Sequence, residues 1–379
     1  MNITIDIRLL ARGGTTGIPG YTRDLVSTLL ALHPEHQYGL FYNALRQHSL
    51  PEAWTSANSV TIHRSRIPNR LLNYSFGTFN GPVPAPLKSA DVIFSPNLDI
   101  LPITHIPRVI TFHDLSFISY PEFFSPKDHV WHRMQKYQRQ AQHAKRIIAV
   151  SEFTKAELVS LLKLPSDKID VVYSGINECF EQLAPNDPKL ANYRLANQLT
   201  APFILYLGSL EPRKNIPLLI AAFNELKNDP RFSEYRLVLA GRPGYRAGEI
   251  FAAAAQSPVR DDIQFLGPVS DEERLHLYNA ARVFVFPSWL EGFGFPPLEA
   301  QACGTPVVAS NRASLPEILS SSALLIDPWR SGELCEAIRA IETNGKMRET
   351  IVAAGLTNAK RFSWTESAQQ TLKVFEDAR

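Results

Sequence analysis

Short apolar runs alternate with longer amphipathic ones along nearly the whole chain. ITIDI opens it, and a helical stretch from Tyr21 to Leu32 follows. YGLFYN, SVTIHR, DVIFSP, RVITFHD, RIIAVS and KIDVVYSGI then come in turn, rich in Val, Ile, Phe and Tyr as buried strands are. Between them, Ser125 to Lys145 and Ser151 to Leu162 are the clearest helical segments. Strands alternating with helices predict a parallel sheet with crossover helices.

The pattern breaks between Asn177 and Pro202, where Pro185, Asn186, Asp187 and Pro188 cluster and no strong strand is found. This stretch reads as a linker. The alternation then restarts with FILYLGSL, a helix from Ile216 to Leu226, YRLVLAG and DIQFLG. A helix from Asp271 to Ala281, VFVFPS, a helix from Pro297 to Ala302, TPVVAS and ALLID follow. The expectation is an α/β protein of two doubly wound, Rossmann-like domains, 1–180 and 200–361. A last helical segment, Phe362 to Ala378, lies outside the regular alternation.

Composition narrows the class. A chain of 379 residues is long enough for two domains that each bury a core. With 45% hydrophobic and 20% charged residues it is ordinary for a globular protein. The net charge of +2 gives no global argument for nucleic acid, which is not expected as a partner. Cys179, Cys303 and Cys335 are far apart, with no metal-ligand spacing and no disulfide framework, which fits a reducing compartment. The opening MNITIDIRLL carries Asp6 and Arg8 within its apolar stretch and reads as a strand rather than a signal peptide. No run reaches the length of a transmembrane helix, so a cytoplasmic protein is expected.

Two segments of the second half carry the candidate chemistry. In GSLEPRKN, Arg213 and Lys214 sit where a strand ends and a helix begins. Arg offers a planar fork for phosphate oxygens, Lys a point charge, and the helix start adds orphan N–H groups. Taken alone, a solvated charged turn is the slightly favoured reading. In PSWLEGFGFPPLEAQACGTPVVAS, Gly292 and Gly294 let backbone approach a ligand closely, Pro296 and Pro297 suit a helix start, and Gly304 suits its end. This segment holds two carboxylates, Glu291 in the loop and Glu299 just inside the helix. Eight residues apart, they do not share a helical face and serve different groups. Glu299 also reads simply as a first-turn glutamate favoured by the helix dipole. Both segments end strands of one domain, and together they favour a nucleotide-diphosphate site.

With these residues in view, the chain resembles the retaining glycosyltransferases of the GT-B class, family 4. The resemblance covers essentially the whole chain. It rests on the E-x7-E pattern of Glu291 and Glu299 in EGFGFPPLE, the Arg213–Lys214 pair in GSLEPRKN, the HD of TFHDL at His113 and Asp114, and the glycine loop GGTTGIPGYTRDL. It implies two domains facing a cleft, the first (1–180) binding the acceptor and the second (200–361) the nucleotide sugar, with the C-terminal helix 362–379 crossing back to the first domain. Arg213 and Lys214 would bind the donor diphosphate and Glu299 the ribose. Glu291, with the backbone of Gly292, Phe293 and Gly294, would hold the donor sugar, and a backbone group near Val269 would read the base. His113 would line the reaction centre, and Gly14 and Gly17 would approach the phosphate or acceptor. Where relatives often read GIGRYT, this chain reads GIPGYT, with Pro19 and Gly20 at the variant positions, which leaves the phosphate contact of that loop open.

The implied reaction moves a hexose from a nucleoside diphosphate to a hydroxyl, with retention, no cofactor and no metal. The motifs look closest to bacterial mannosyltransferases of surface-polysaccharide assembly, implying GDP-mannose or GDP-rhamnose as donor, with UDP-sugars open. The acceptor would be a saccharide or lipid-linked saccharide. Lys127 to Arg146 carries six Lys/Arg and three His against one acid, with Trp131, Met134, Tyr137 and Ala141 at helical spacing. Such a helix either lies peripherally on the anionic inner face of a membrane or turns its Trp131 side to the core. A non-catalytic sugar-nucleotide-binding scaffold is the competing class.

Overall fold

The computed structural model describes residues 1–13, 17–44, 50–79, 81 and 83–379. The chain divides into two compact units, Met1–Gly175 with Phe362–Arg379, and Ile176–Arg361. Each is built on an all-parallel sheet, and the α/β, two-Rossmann expectation is met.

In the first unit the strands are β1 (Asn2–Asp6), β2 (Gln37–Asn43), β3 (Val60–Ser65), β4 (Val92–Ser95), β5 (Arg108–Phe112), β6 (Arg146–Ala149) and β7 (Ile169–Val171). Their order is β3-β2-β1-β4-β5-β6-β7, so the winding direction reverses between β1 and β4. Ile3, Ile5, Val92, Phe94, Val109, Ile110 and Ile147 are nearly inaccessible to solvent, as strands covered on both faces require. The helix Trp364–Ala378 belongs to this unit and packs against the helix Ile18–Leu32. Its Phe375 ring lies 5.0 Å from Phe94 of β4, so the last helix of the chain covers the sheet of the first unit.

Two local expectations are corrected here. The single helix from Ser125 to Lys145 is two helices, Pro126–Met134 and Tyr137–His143. Lys136 between them is left-handed (φ 48°), a conformation no helix propagates through. The break divides the Trp131–Met134–Tyr137–Ala141 stripe: Met134 is exposed, Trp131 and Tyr137 are half-buried, and Ala141 is fully buried. The buried positions around the break are the polar Gln135 and Gln140, whose amides bond to backbone. Tyr137 and Ala141, on the second helix, pack in one apolar cluster, whereas Met134 on the first helix is exposed.

The second unit holds β8 (Phe203–Leu207), β9 (Arg236–Ala240), β10 (Ile263–Gly267), β11 (Val283–Phe286), β12 (Val307–Ser310) and β13 (Leu324–Ile326). Their order is β10-β9-β8-β11-β12-β13, with the reversal between β8 and β11. The helix Ile216–Leu226 has the bounds its apolar periodicity predicts. The stretch read as a linker carries a helix, Pro188–Ala196, capped by Asp187, whose side chain accepts from the N–H groups of Lys189 and Leu190. Pro185 to Pro188 is thus a helix start: proline at the first helical position after an Asp cap is as good an N-terminal signal as it is a turn signal.

Candidate functional site

In a doubly wound sheet the crevice at the winding reversal, beyond the carboxyl ends of the strands, is where ligands bind. In the second unit that crevice lies between β8 and β11. GSLEPRKN leaves β8 and PSWLEGFGF leaves β11, so the two segments singled out by their residues are neighbours.

The cations and the first carboxylate meet there. Lys214 Nζ donates to Glu291 Oε1 at 2.6 Å, and Arg213 Nη1 lies 3.2 Å from Glu291 Oε2. Arg213 also donates to the Leu290 carbonyl at 2.9 Å and to Glu211 Oε1 at 3.0 Å. Trp289 N–H donates in turn to the Arg213 carbonyl, so the two loops are stitched by backbone as well as by charge. Lys214 and Glu291 are both buried. Burial alone would raise the Glu291 carboxyl, but Lys214 and Arg213 outweigh it and hold its pKa below the ordinary value. Burial, and then Arg213, lower the Lys214 ammonium, with Glu291 opposing them. The resting site is an ionised cluster in which Glu291 bridges the two cations and Glu211 also pairs with Arg213.

The glycine loop behind it is fixed by hydroxyls. Ser314 Oγ donates within reach of the carbonyls of both Glu291 (2.9 Å) and Phe293 (3.0 Å), and Ser310 Oγ donates to the Ser288 carbonyl. Gly294, with φ of 107°, is the N-cap of the helix Phe295–Ala302. That left-handed φ favours glycine, and a Cβ there would in addition press on the end of the Leu315 side chain at 2.8 Å. Gly292 and Phe293 lie in this loop, with the Phe293 side chain buried.

Glu299 is separate from Glu291 in its partners, as the spacing implied. It lies in the helix Phe295–Ala302, ion-paired with Arg274 and accepting from Tyr278 Oη at 2.8 Å. Arg274 and Tyr278 are one turn apart on the helix Asp271–Ala280, both buried. Burial would lower the Arg274 guanidinium, but Glu299 and Tyr278 more than offset it and the net shift is upward. Val269 lies in the turn between β10 and that same helix.

In the first unit, His113 directly follows β5. Its Nε2 is 2.8 Å from the Pro96 carbonyl, which can only accept, so the ring proton sits on Nε2 and Nδ1 is an acceptor. Burial lowers the His113 pKa and keeps the ring neutral, with the Pro96 bond opposing. Tyr21 meets the imidazole edge-on at 4.7 Å and reaches Thr111 Oγ1 with its hydroxyl. Asp114 accepts from the Ser116 N–H and hydroxyl, a local turn contact. Gly17, with φ of 64°, is the N-cap of the helix Ile18–Leu32. Gly14 lies outside the described residues.

Arg274, Tyr278, Glu211, Ser310 and Ser314 were not singled out from sequence. Arg274 and Tyr278, four apart, share a helix face, a pattern that can be read from sequence; the serines carry no such signal. Among the described residues no cluster of three or more His, Cys, Asp or Glu is placed to hold a metal ion.

The family model described as Glycosyltransferase Family 4 matches residues 16–178, and that described as Glycosyl transferases group 1 matches residues 193–357. The chain is 32% identical over 371 residues to O-antigen chain mannosyltransferase B of Escherichia coli, covering 95% of this chain and 96% of that protein. The chain belongs to glycosyltransferase family 4. Solved structures share the fold of this family-4 glycosyltransferase at low identity. Sucrose-phosphate synthase of Thermosynechococcus elongatus superposes with a TM-score of 0.76 at 21% identity, over 100% of this chain and 98% of that one. Anabaena Alr3699/HepE, solved with UDP and glucose, gives 0.75 at 18% identity over 100% of both chains.

Proposed function

We propose that this glycosyltransferase moves mannose, or a 6-deoxy relative such as rhamnose, from a GDP-sugar to a saccharide acceptor during assembly of a surface polysaccharide of the O-antigen kind, with retention at the anomeric carbon. The observation that carries the reading is the Arg213–Lys214–Glu291 cluster at the winding reversal of the second sheet. The full-length relation to an O-antigen mannosyltransferase supports the sugar and the product class.

In this reading the diphosphate takes the place of the Glu291 carboxylate on Arg213 and Lys214. The freed Glu291 then accepts from hydroxyls of the donor sugar, with the backbone of Gly292, Phe293 and Gly294 beside it. Glu299, oriented by Arg274 and Tyr278, accepts from the ribose hydroxyls, and the backbone near Val269 meets the base. His113, neutral, offers Nδ1 to a substrate hydroxyl. Gly14 and Gly17 remain assigned to the phosphate or acceptor side. The bond from C1 to the diphosphate breaks as the acceptor oxygen joins C1 on the same face, and a departing phosphate oxygen takes the acceptor proton. Negative charge developing on the leaving group is stabilised by the two cations and the helix start after Lys214, so no metal or cofactor is required.

A lipid-linked acceptor at an anionic membrane surface is part of the proposal. Ile67, Leu71, Tyr74 and Phe79 are exposed on and before the helix Asn69–Phe79, and Val130 and Met134 on the helix Pro126–Met134, which lies against it. Arg64, Arg66, Lys127 and Arg133 are exposed among them. Apolar side chains ringed by cations suit an acidic lipid surface. No helix among the described residues is long and apolar enough to cross a membrane.

The deciding experiment is a thermal-shift panel of GDP, UDP, ADP and dTDP with and without EDTA, followed by transfer assays with anomeric assignment of the product by NMR. A shift with GDP alone, unaffected by EDTA, and an α-linked product from GDP-α-mannose are expected. A shift with UDP alone keeps the transferase and overturns the donor; nucleotide binding without transfer to any saccharide favours a scaffold.

A further inference from the structure

The rim formed by the strand ends of the second unit extends past the cluster described above. Beyond β11 it continues to β12 and then β13 at the sheet edge. After β13 the chain reads Asp327-Pro328-Trp329, and Trp329 is 70% exposed, among the most exposed large apolar side chains of the described residues. It is not a loose ornament. Its N–H donates to Asp327 Oδ1 at 3.1 Å, and the carbonyl of Pro328 before it accepts from Asn215 Nδ2 at 2.8 Å. Asn215 is the residue next to Lys214. Trp289, two residues before Glu291, places its ring 4.3 Å from that of Trp329, tilted by 56°. Two indoles are therefore held together by the same loops that hold Lys214 and Glu291, and one of them faces water.

A lone exposed apolar side chain is common on any surface. A rigid pair is another matter, since the backbone beneath it is tied at both residues and little conformational freedom remains to be lost on binding. The surroundings are mixed: Asn311, Arg312 and Arg330 are exposed on the neighbouring strand ends, and Asp327 is half-buried beside them. Arg330 pairs with both Asp327 and Glu333, so neither sign of charge dominates, which disfavours an anionic membrane, and two rings are too small a patch for a stable protein interface. A pyranose fits. Its C–H faces are apolar and carry slight positive charge, matching the negative face of an indole, while its hydroxyls find amide, guanidinium and carboxylate groups around the rim.

Position distinguishes which sugar-bearing molecule this is. In the proposed function the base lies at Val269 after β10, the diphosphate at Arg213 and Lys214 after β8, and the donor sugar at Glu291 after β11. Along the strand order β10-β9-β8-β11-β12-β13, the donor runs from one edge toward the other, and Trp329 lies beyond its sugar end. We propose that Trp329, backed by Trp289, is a stacking platform for a pyranose ring of the acceptor saccharide. This rests on the reading of the chain as a transferase to saccharides.

The test pairs binding with kinetics. Intrinsic tryptophan fluorescence of the whole chain is titrated with α-mannotetraose and, separately, maltotetraose, for wild type, Trp329→Ala and Trp329→Phe. Saturable quenching by mannotetraose is expected in wild type, weakened about tenfold in Trp329→Ala and partly restored in Trp329→Phe. In transfer assays Trp329→Ala should raise the acceptor KM about tenfold and leave the donor KM within twofold. An acceptor KM unchanged by Trp329→Ala, or a donor KM that rises with it, overturns the platform; the second outcome assigns the rings to the nucleotide sugar. Wild type that transfers sugar but gives no Trp329-dependent oligosaccharide signal also overturns it while the transferase reading stands. A Trp329-dependent signal without nucleotide binding or transfer does the reverse.

Discussion

The two units share a sheet plan, yet they use buried charge in opposite ways. In the first, Asp6 at the end of β1 holds Arg8 through two hydrogen bonds, of 2.8 Å from Nε and 2.6 Å from Nη2. Arg8 also donates to the Ile100 carbonyl and lies over the Phe41 and Phe76 rings. Arg108 nearby donates to Ser95, Gln140 and the Asp99 carbonyl, and burial pushes its pKa down to about 9. Every partner in this network is part of the scaffold, and none is replaceable by a small anion. In the second unit, Glu291 on a glycine loop bridges Lys214 and Arg213, and Glu211 in the loop after β8 also pairs with Arg213, so both cations are met by loop carboxylates that phosphate oxygens can replace. A buried charge whose partners are many and structural stabilises a fold; one whose carboxylate partners are carried on loops is poised for a ligand.

The largest effect that would break this comparison is on stability. Arg8→Met leaves Asp6 buried beside no cation of its own, at a cost of about 3–5 kcal/mol, and should lower Tm by on the order of 10 °C in a thermal melt. A Tm within 2 °C or so of wild type would show that the first network is as dispensable to folding as the second. Lys214→Met should behave in the opposite sense: Arg213 still faces Glu291, so Tm moves little, while kcat/KM for transfer falls about 100-fold or more because a cation on the leaving group is gone. Equal losses of stability and transfer in that variant would erase the distinction.

A smaller effect separates the two carboxylates. Tyr278→Phe removes one of the hydrogen bonds on Glu299 and should raise the donor KM about fivefold, with kcat nearly constant. The same change in kcat instead would place Glu299 at the reacting centre. The smallest effect is on the first unit and depends on pH. The His113 pKa is depressed from 6.5, so below about pH 6.5 the unfolded chain takes the proton first and stability falls as pH drops toward the folded value. His113→Gln should reduce the Tm loss between about pH 7 and 5, part of which remains because His132 is depressed by burial as well. An unchanged Tm–pH slope would mean that His113 titrates as it does in the unfolded chain.

Much was legible in the sequence, and for a common reason. Strand and helix positions follow from local spacing, which is why Ile216–Leu226 came out at its true bounds and why both charged loops were placed at strand ends. Glu291 and Glu299, read as serving different groups, meet different protein side chains, Lys214 and Arg213 for the first and Arg274 and Tyr278 for the second, because one lies in the loop and the other in the helix. What local spacing missed were the left-handed Lys136 that splits the stretch from Ser125 to Lys145, and the helix Pro188–Ala196, whose proline start also reads as a turn.

The sequence by itself determined the two parallel-sheet units, the family and the residue types at each strand end, because all of these rest on interactions between near neighbours or on motifs read in line. Tertiary structure alone decided which of those residues meet. Lys214 and Glu291 are 77 residues apart, and Arg274 and Glu299 belong to different helices. Trp289 and Trp329 lie on separate strand ends. The first and last of those pairs exist because the order β8-β11-β12-β13 sets distant loops side by side, and Arg274 meets Glu299 because their helices pack together; that arrangement is fixed by the burial and winding of the whole sheet rather than by any one segment.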